Sequence, residues 1–167
     1  MSTMDNAKAA FAGESQANRK YSNFSDKAAA DGFPNVAKLF KAASEAEAIH
    51  AKRLLFAMNM VGTTEENLKG AVSGETEEYE SMYPSFIKMA EEEKDKSDAK
   101  AVFTHAMKAE EVHAKKYSQA LEAVSKGKDL SIKVIFLCPV CGNIEFDSAP
   151  EKCPICGVPK RMFKEII

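Results

Sequence analysis

The chain has 167 residues, of which 45% are hydrophobic and 29% charged, and a formal charge of -2. That balance excludes disordered, collagen-like and low-complexity classes, and a charge so near zero gives no electrostatic footprint for nucleic acid. No run approaches the ~20 apolar residues that span a bilayer, and the opening Met1-Ser-Thr-Met-Asp-Asn-Ala-Lys8 carries no apolar leader core, so a cytoplasmic protein with no membrane role is expected.

Residues 1–127 are rich in Ala, Glu, Lys and Met, contain two prolines, Pro34 and Pro84, and read as four helices. Asp31-Gly-Phe-Pro34 ends the first and begins the second, with Gly at a C-cap and Pro in a first turn. Gly62 closes the second, and Thr63-Thr-Glu-Glu66 opens the third as a capping box. Lys94-Asp-Lys-Ser97 separates the third from the fourth, with Ser97 as N-cap, and Pro84 predicts a kink within the third. Ser125-Lys-Gly-Lys-Asp129 ends the fourth and begins a linker. Residues 128–167 hold all four cysteines and the β-type run Ile132-Lys-Val-Ile-Phe-Leu137, and read as a second, very small domain.

Each helix carries an apolar stripe at three- and four-residue spacing. The first runs Met4, Ala7, Phe11, Glu14, Asn18, Tyr21; the second Phe40, Ala43, Glu47, His50, Leu54, Ala57, Val61. The third runs Leu68, Ala71, Glu75, Glu78, Met82, Phe86, Met89; the fourth Ala99, Val102, Ala106, Glu110, His113, Tyr117, Ala120, Val124. Acids and imidazoles thus interrupt the middle of every stripe. Burying ionised carboxylates costs several kcal/mol each after relaxation, and like charges repel besides. Two divalent cations among Glu14, Glu47, Glu75, Glu78 and Glu110 turn that penalty into a site, with His50 and His113 as neutral donors.

The spacing carries the same message. Glu47-x-x-His50 and Glu110-x-x-His113 each put two donors on one helix face, and Glu14 and Glu75 supply one carboxylate from each remaining helix. This is the di-iron carboxylate pattern of ferritin-like bundles. Glu lies three residues before a given His by chance about once in nine, so two of three His doing so is uncommon. His105, preceded by Val102, serves as the control and is expected at the surface or in an ordinary core contact. Glu45, Glu77, Glu80, Glu91, Glu92, Glu93 and Glu111 are expected on solvated faces.

The tail supplies a second constellation, Cys138-Pro-Val-Cys141-Gly and Cys153-Pro-Ile-Cys156-Gly, eleven residues apart. Paired C-x-x-C builds a tetrahedral thiolate site for zinc or a single iron, and Gly142 and Gly157 let backbone amides approach the sulfurs. About 40 residues make too small a core to fold alone, so metal ligation is expected to supply much of the stability. Spacing does not choose between zinc and iron; a redox-capable pair in the same chain favours iron.

Taken together, Ala10-Phe-Ala-Gly-Glu-Ser-Gln-Ala17 with Tyr21, Glu45-Ala-Glu-Ala-Ile-His50, Gly74-Glu-Thr-Glu-Glu-Tyr-Glu-Ser-Met-Tyr-Pro84, Ala109-Glu-Glu-Val-His113 and the two cysteine knuckles resemble the rubrerythrins over nearly the whole chain. The resemblance implies a mainly α fold: a ferritin-like four-helix bundle over 1–127, then a small β-rich rubredoxin-like metal domain over 128–167. It implies bridging roles for Glu47 and Glu110, a terminal Glu14 on one iron, and Glu75 with His113 on the other. It also accounts for Glu78, since one iron in this family exchanges a Glu ligand when oxidised for a His, here His50, when reduced. Tyr21 and Tyr83 are candidates for the pocket wall and equally for the core.

The implied reaction is reduction of hydrogen peroxide to water, in oxidative-stress defence, with electrons arriving through the Cys138, Cys141, Cys153 and Cys156 iron. The implied donors are an NAD(P)H-linked rubredoxin reductase or a separate rubredoxin. Two rivals remain open: a ferroxidase of the iron-handling kind, and a structural bundle with a zinc-ribbon interaction module. A ferritin-like arrangement sets the second and third helices parallel, yet Gly62-Thr63-Thr64 is too short for the crossover that requires. Either the bundle is a plain up-and-down type, or a homodimer exchanges its first two helices, the arrangement that keeps the family's topology.

Overall fold

The structure is a computed structural model and describes residues 2–94 and 98–167. Among these residues the chain forms four long helices and one small antiparallel sheet. By internal contacts it divides into two compact units, Met1–Gly62 and Thr63–Ile167.

The first unit is a helical hairpin. Helix α1 (Thr3–Ala30) starts at Ser2, whose hydroxyl accepts the Asp5 N–H while the Asp5 carboxylate accepts the Ser2 N–H. It ends where Gly32 takes φ +83, a left-handed conformation that costs glycine little. Helix α2 (Pro34–Ala57) then begins with Pro34 in its first turn, as the sequence predicts. The two helices are interlocked by polar groups as well as by apolar ones. The Asn18 amide donates to the carbonyl and hydroxyl of buried Ser44, at 2.7 and 3.1 Å, and the Ser44 hydroxyl donates back to the Asn18 carbonyl. Beside this lock, Tyr21, Phe24 and Phe40 form an aromatic cluster with centroids 5.5–6.2 Å apart.

Helix α2 ends earlier than expected. Its stop is at Ala57, and Asn59 with φ +53 takes the left-handed capping position assigned above to Gly62. The Met60 N–H bonds back to the Leu55 carbonyl, so Val61 lies past the helix rather than on its stripe. The physical reason is that an Asn side chain makes the left-handed region accessible.

The second unit begins with α3 (Thr64–Glu77), opened by the Thr63/Glu66 capping box. The helix continues as a π turn, Glu78–Met82, and then as α4 (Tyr83–Glu92). A π turn advances the register by one residue. Tyr83 therefore follows Glu78 on its face where the simple period places Met82, and Ala90 is the buried position, whereas Met89 is 55% exposed. Beyond Glu78 the expected third-helix stripe holds at Phe86, which packs on Phe103, and fails at Met89, where Ala90 is the buried residue. Tyr83, Phe86 and, from α5, Phe103 pack together at 5.6–6.3 Å. The N-cap expected at Ser97 lies outside the described residues.

Helix α5 (Ala99–Ser125) ends with Gly127 at φ +67. Strands β1 (Ile135–Leu137), β2 (Ile144–Phe146) and β3 (Lys164–Ile166) pair antiparallel in the order β2-β1-β3. The β-type run that starts at Ile132 thus becomes strand only from Ile135.

Candidate metal centres

In the first unit, α1 supplies Glu14 and α2 supplies Glu47 and His50. One donor atom of each lies within 4.8 Å of the other two. His50 Nδ1 stands 2.9 Å from Glu47 Oε2 and 3.7 Å from Glu14 Oε2. A hydrogen bond with Glu47, aided by burial and by the Glu47 charge, holds the Glu14 carboxyl above its ordinary pKa. The same bond, and then His50, holds the Glu47 carboxyl below its ordinary pKa.

The second unit repeats the arrangement with α3 supplying Glu75 and α5 supplying Glu110 and His113, again within 4.8 Å. His113 Nδ1 is 2.6 Å from Glu110 Oε2 and 4.0 Å from Glu75 Oε1. Burial, then the Glu110 charge, raises the Glu75 pKa. Glu78 lies beside this trio rather than within it. Its pKa is raised by burial and by Glu75, and it feels His113. Tyr83 faces the same acids: burial and the charges of Glu78, Glu110 and Glu75 keep its hydroxyl protonated. Tyr21 instead belongs to the aromatic cluster with Phe24 and Phe40.

The two imidazoles are anchored differently. His113 Nε2 is 2.8 Å from the Gly142 carbonyl, which makes Nε2 the protonated nitrogen and leaves the Nδ1 lone pair for a metal. His50 is 52% exposed in its side chain, and its Nε2 has no hydrogen-bond partner among the described residues. His105 is half-buried and belongs to neither trio, while Glu45, Glu77, Glu80, Glu91, Glu92, Glu93 and Glu111 are all exposed.

The four sulfurs of Cys138, Cys141, Cys153 and Cys156 lie within 4.8 Å of one another, with Cys138–Cys156 at 3.6 Å and Cys141–Cys153 at 3.5 Å. A tetrahedron with metal–sulfur bonds of about 2.3 Å has edges of about 3.8 Å, so the nest fits one metal ion. Two matching knuckles build it: the Cys138 N–H bonds the Asn143 carbonyl and the Cys153 N–H the Val158 carbonyl, both at 2.8 Å. Gly142 and Gly157 turn the chain at φ +82 and +77. Burial opposes ionisation of Cys138, but the N–H groups of Cys141 and Val140 outweigh it and lower its pKa. Burial raises Cys141 and Cys156. Four thiolates in one nest therefore call for a cation, as do the paired carboxylates, whose oxygen and nitrogen donors suit iron.

Three further groups carry no sequence signal of their own: the Gly142 carbonyl at His113, Ser44 beneath Asn18, and Lys116, whose ammonium sits 4.1 Å from the Phe146 ring centroid. Among the described residues no helix is long and apolar enough to cross a membrane.

Comparison with known proteins agrees with this geometry. A family model described as Rubrerythrin matches residues 5–121, and one for the rubrerythrin rubredoxin-like domain matches 136–164. Rubrerythrin-2 of Clostridium acetobutylicum is 35% identical over 97% of this chain and 95% of its own length. Nigerythrin of Nitratidesulfovibrio vulgaris is 38% identical over 97% of this chain and 85% of its own. A solved structure of nigerythrin in its fully reduced, all-ferrous state aligns with TM-score 0.59 and 36% identity, covering 99% of this chain and 87% of that one. The fold is thus a ferritin-like four-helix type with a small rubredoxin-like domain, and its cofactors are a di-iron centre and one metal held by four cysteines.

Proposed function

The chain belongs to the rubrerythrin family, and on that premise we propose that it is a non-haem di-iron peroxidase that reduces hydrogen peroxide to water. Electrons come through its own cysteine-held iron from an NAD(P)H-linked rubredoxin reductase or a rubredoxin. The observation that carries this reading is the 2.8 Å contact of His113 with the Gly142 carbonyl, because Gly142 directly follows the thiolate donor Cys141. A short run of bonds therefore links the two kinds of metal site.

When bound, the iron pair supplies Lewis acidity and the two electrons that O–O cleavage consumes. Each peroxide takes two electrons and two protons and leaves as two waters. Glu47 and Glu110 would hold the pair jointly, Glu14 and Glu75 would each hold one ion, and His113 would be a fixed donor because the Gly142 carbonyl pins its ring. His50, whose ring has no such anchor among the described residues, and Glu78 would be alternative donors to one ion. The Tyr83 hydroxyl, kept protonated by burial and by the surrounding acids, holds a proton beside Glu78, Glu110 and Glu75. Reduced thiols at the tail suit a cytoplasmic setting.

The working molecule is a homodimer in which each trio is completed by the complementary trio of a second copy. A crossover from α2 to a parallel α3 must run the length of α2, 24 residues or about 36 Å. The connection, residues 58–63, remains tied to the end of α2 through Met60, and what is left reaches about 10 Å. Leu39 and Ile49 of the first unit (69% and 59% exposed) and Val102 of the second (59%) are apolar surface that such an association covers.

The test is anaerobic. Iron-loaded, fully reduced protein should be reoxidised faster by hydrogen peroxide than by dioxygen, and about three irons per chain should be present. Reoxidation no faster with peroxide removes the peroxidase assignment, and a colourless protein carrying zinc at the cysteines removes the electron route.

A further inference from the structure

Charge is unevenly placed along the chain. The net charge is -2, yet residues 149–164 hold four cations, Lys152, Lys160, Arg161 and Lys164, and a single acid, Glu151. The fold gathers all four around the second cysteine knuckle. Lys152 directly precedes the thiolate donor Cys153 and pairs across its loop with Pro159. The Lys160 N–H bonds the Glu151 carbonyl at 3.0 Å, and Lys160 and Arg161 share the short 3-10 turn Lys160–Met162. Lys164 in β3 lies opposite Leu137, the residue before Cys138. All four side chains belong to exposed residues. Lys160 is satisfied by Glu151, its Nζ 3.2 Å from the carboxylate, whereas Lys152, Arg161 and Lys164 form no ion pair among the described residues. The metal nest beneath them is close to the surface: Cys141 and Cys156 are only half-buried, and Pro154 and Gly157 of the second knuckle are exposed. Val140 and Met162 add exposed apolar side chains from the same loops.

We infer that the basic surface around Cys153-Pro-Ile-Cys156, with Lys152, Arg161 and Lys164 as its unpaired cations, is the docking site of a small acidic one-electron carrier protein. Cations left together without partners repel one another, and an acidic partner relieves that repulsion. Such a field raises the rate of encounter and orients the partner more than it adds lasting affinity, which suits a carrier that must dock, react and leave. Val140 and Met162 supply the apolar contact that the centre of an interface uses, while the charges form its rim. Cations serving only to offset the charge of the thiolates would sit buried against sulfur, and these are exposed. Each docking passes one electron: the carrier is oxidised, the cysteine-held iron goes from ferric to ferrous, and no bond or proton moves. The use of that electron against peroxide rests on the peroxidase reading; the docking itself does not.

The experiment uses full-length, iron-loaded protein with its cysteine iron ferric, and reduced flavodoxin as an acidic carrier whose spectrum differs from the red thiolate absorption. No peroxide is added, so the outcome does not depend on the peroxidase reading. Bleaching of the red absorption is timed anaerobically at about 10 mM and about 500 mM salt, between which the Debye length falls from about 30 Å to about 4 Å. Lys152→Glu, Arg161→Glu and Lys164→Glu together should slow bleaching by at least about tenfold at low salt and by no more than about twofold at high salt. The same change of charge on the first unit, as Lys8→Glu, Lys20→Glu and Lys38→Glu, should slow it by less than about threefold, and neither triple variant should slow bleaching by reduced methyl viologen, a small cation. Arg161→Glu alone should slow bleaching by flavodoxin about threefold at low salt, and it decides the matter if the triple variant loses its red absorption. The docking site is overturned by slowing that is absent, that persists at high salt, or that the first-unit variant or methyl viologen reproduces. It is overturned equally if the unaltered protein reacts with flavodoxin without salt dependence but binds phosphatidylglycerol vesicles through the same three residues, which assigns the surface to an anionic membrane.

Discussion

At each trio an imidazole Nδ1 points inward at carboxylates that crowd one another, which makes a second negative charge costly there. Glu14 and Glu75 both have raised pKa values, the first chiefly through its bond to Glu47 and the second chiefly through burial. Removing one carboxylate of a trio therefore does more than delete a contact. Glu110→Ala should lower iron from about three to about one per chain while the red thiolate absorption persists, as metal analysis with visible spectroscopy will show. Glu78→Gln should behave differently, because Glu78 stands beside the trio. Iron content should hold, and peroxide turnover under steady donor supply should fall by roughly 10-fold or more. These residues are legible in the sequence because Glu-x-x-His fixes two donors by covalent spacing, and a carboxylate in an apolar stripe marks itself. The Gly142 carbonyl is not legible, since every residue has one and only tertiary contact selects it. Asn18 and Ser44 read as incidental polar positions until their reciprocal bonds are seen.

Among the elements, capping explains most boundaries and also where the reading slips. The Thr63/Glu66 box is written in the sequence, and its electrostatics give a pH signature. The Thr63 backbone N–H and hydroxyl hold Glu66 below its ordinary 4.5. A carboxylate lowered in the folded state contributes fully above its unfolded pKa and loses that contribution as pH falls through the lowered value. Glu66→Gln keeps the capping hydrogen bonds but not the charge. The melting-temperature gap between it and the parent chain should accordingly be open at pH 6 and narrow as pH falls below the ordinary 4.5. The hairpin of α1 and α2 has its own test in Asn18→Ala, which leaves the buried Ser44 groups without their donor and should cost about 1–3 kcal/mol in urea unfolding. The π turn at Glu78–Met82 has no comparable signature. Its extra residue breaks no pattern before Glu78, and only the burial of Ala90 instead of Met89 reveals it.

For the whole molecule, the decisive quantity is which chain completes which trio. Two variants answer it when co-expressed with different tags. In one, Glu47→Ala and His50→Ala destroy the trio on α1 and α2; in the other, Glu110→Ala and His113→Ala destroy the trio on α3 and α5. Each variant alone leaves no complete centre, whichever way the helices pair. The mixed dimer separates the possibilities. If helices are exchanged, the intact first unit of one chain meets the intact second unit of the other, and one of the two centres is whole. If each chain builds its own centre, both remain broken. Purified through both tags, the mixed dimer should bind about half the bundle iron of the parent dimer and retain about half its peroxide turnover. The surviving second unit also keeps the Gly142 carbonyl 2.8 Å from His113. A mixed dimer as empty of bundle iron as either variant alone means that each chain closes its own bundle, and that the six residues between α2 and α3 join antiparallel helices in a plain up-and-down order.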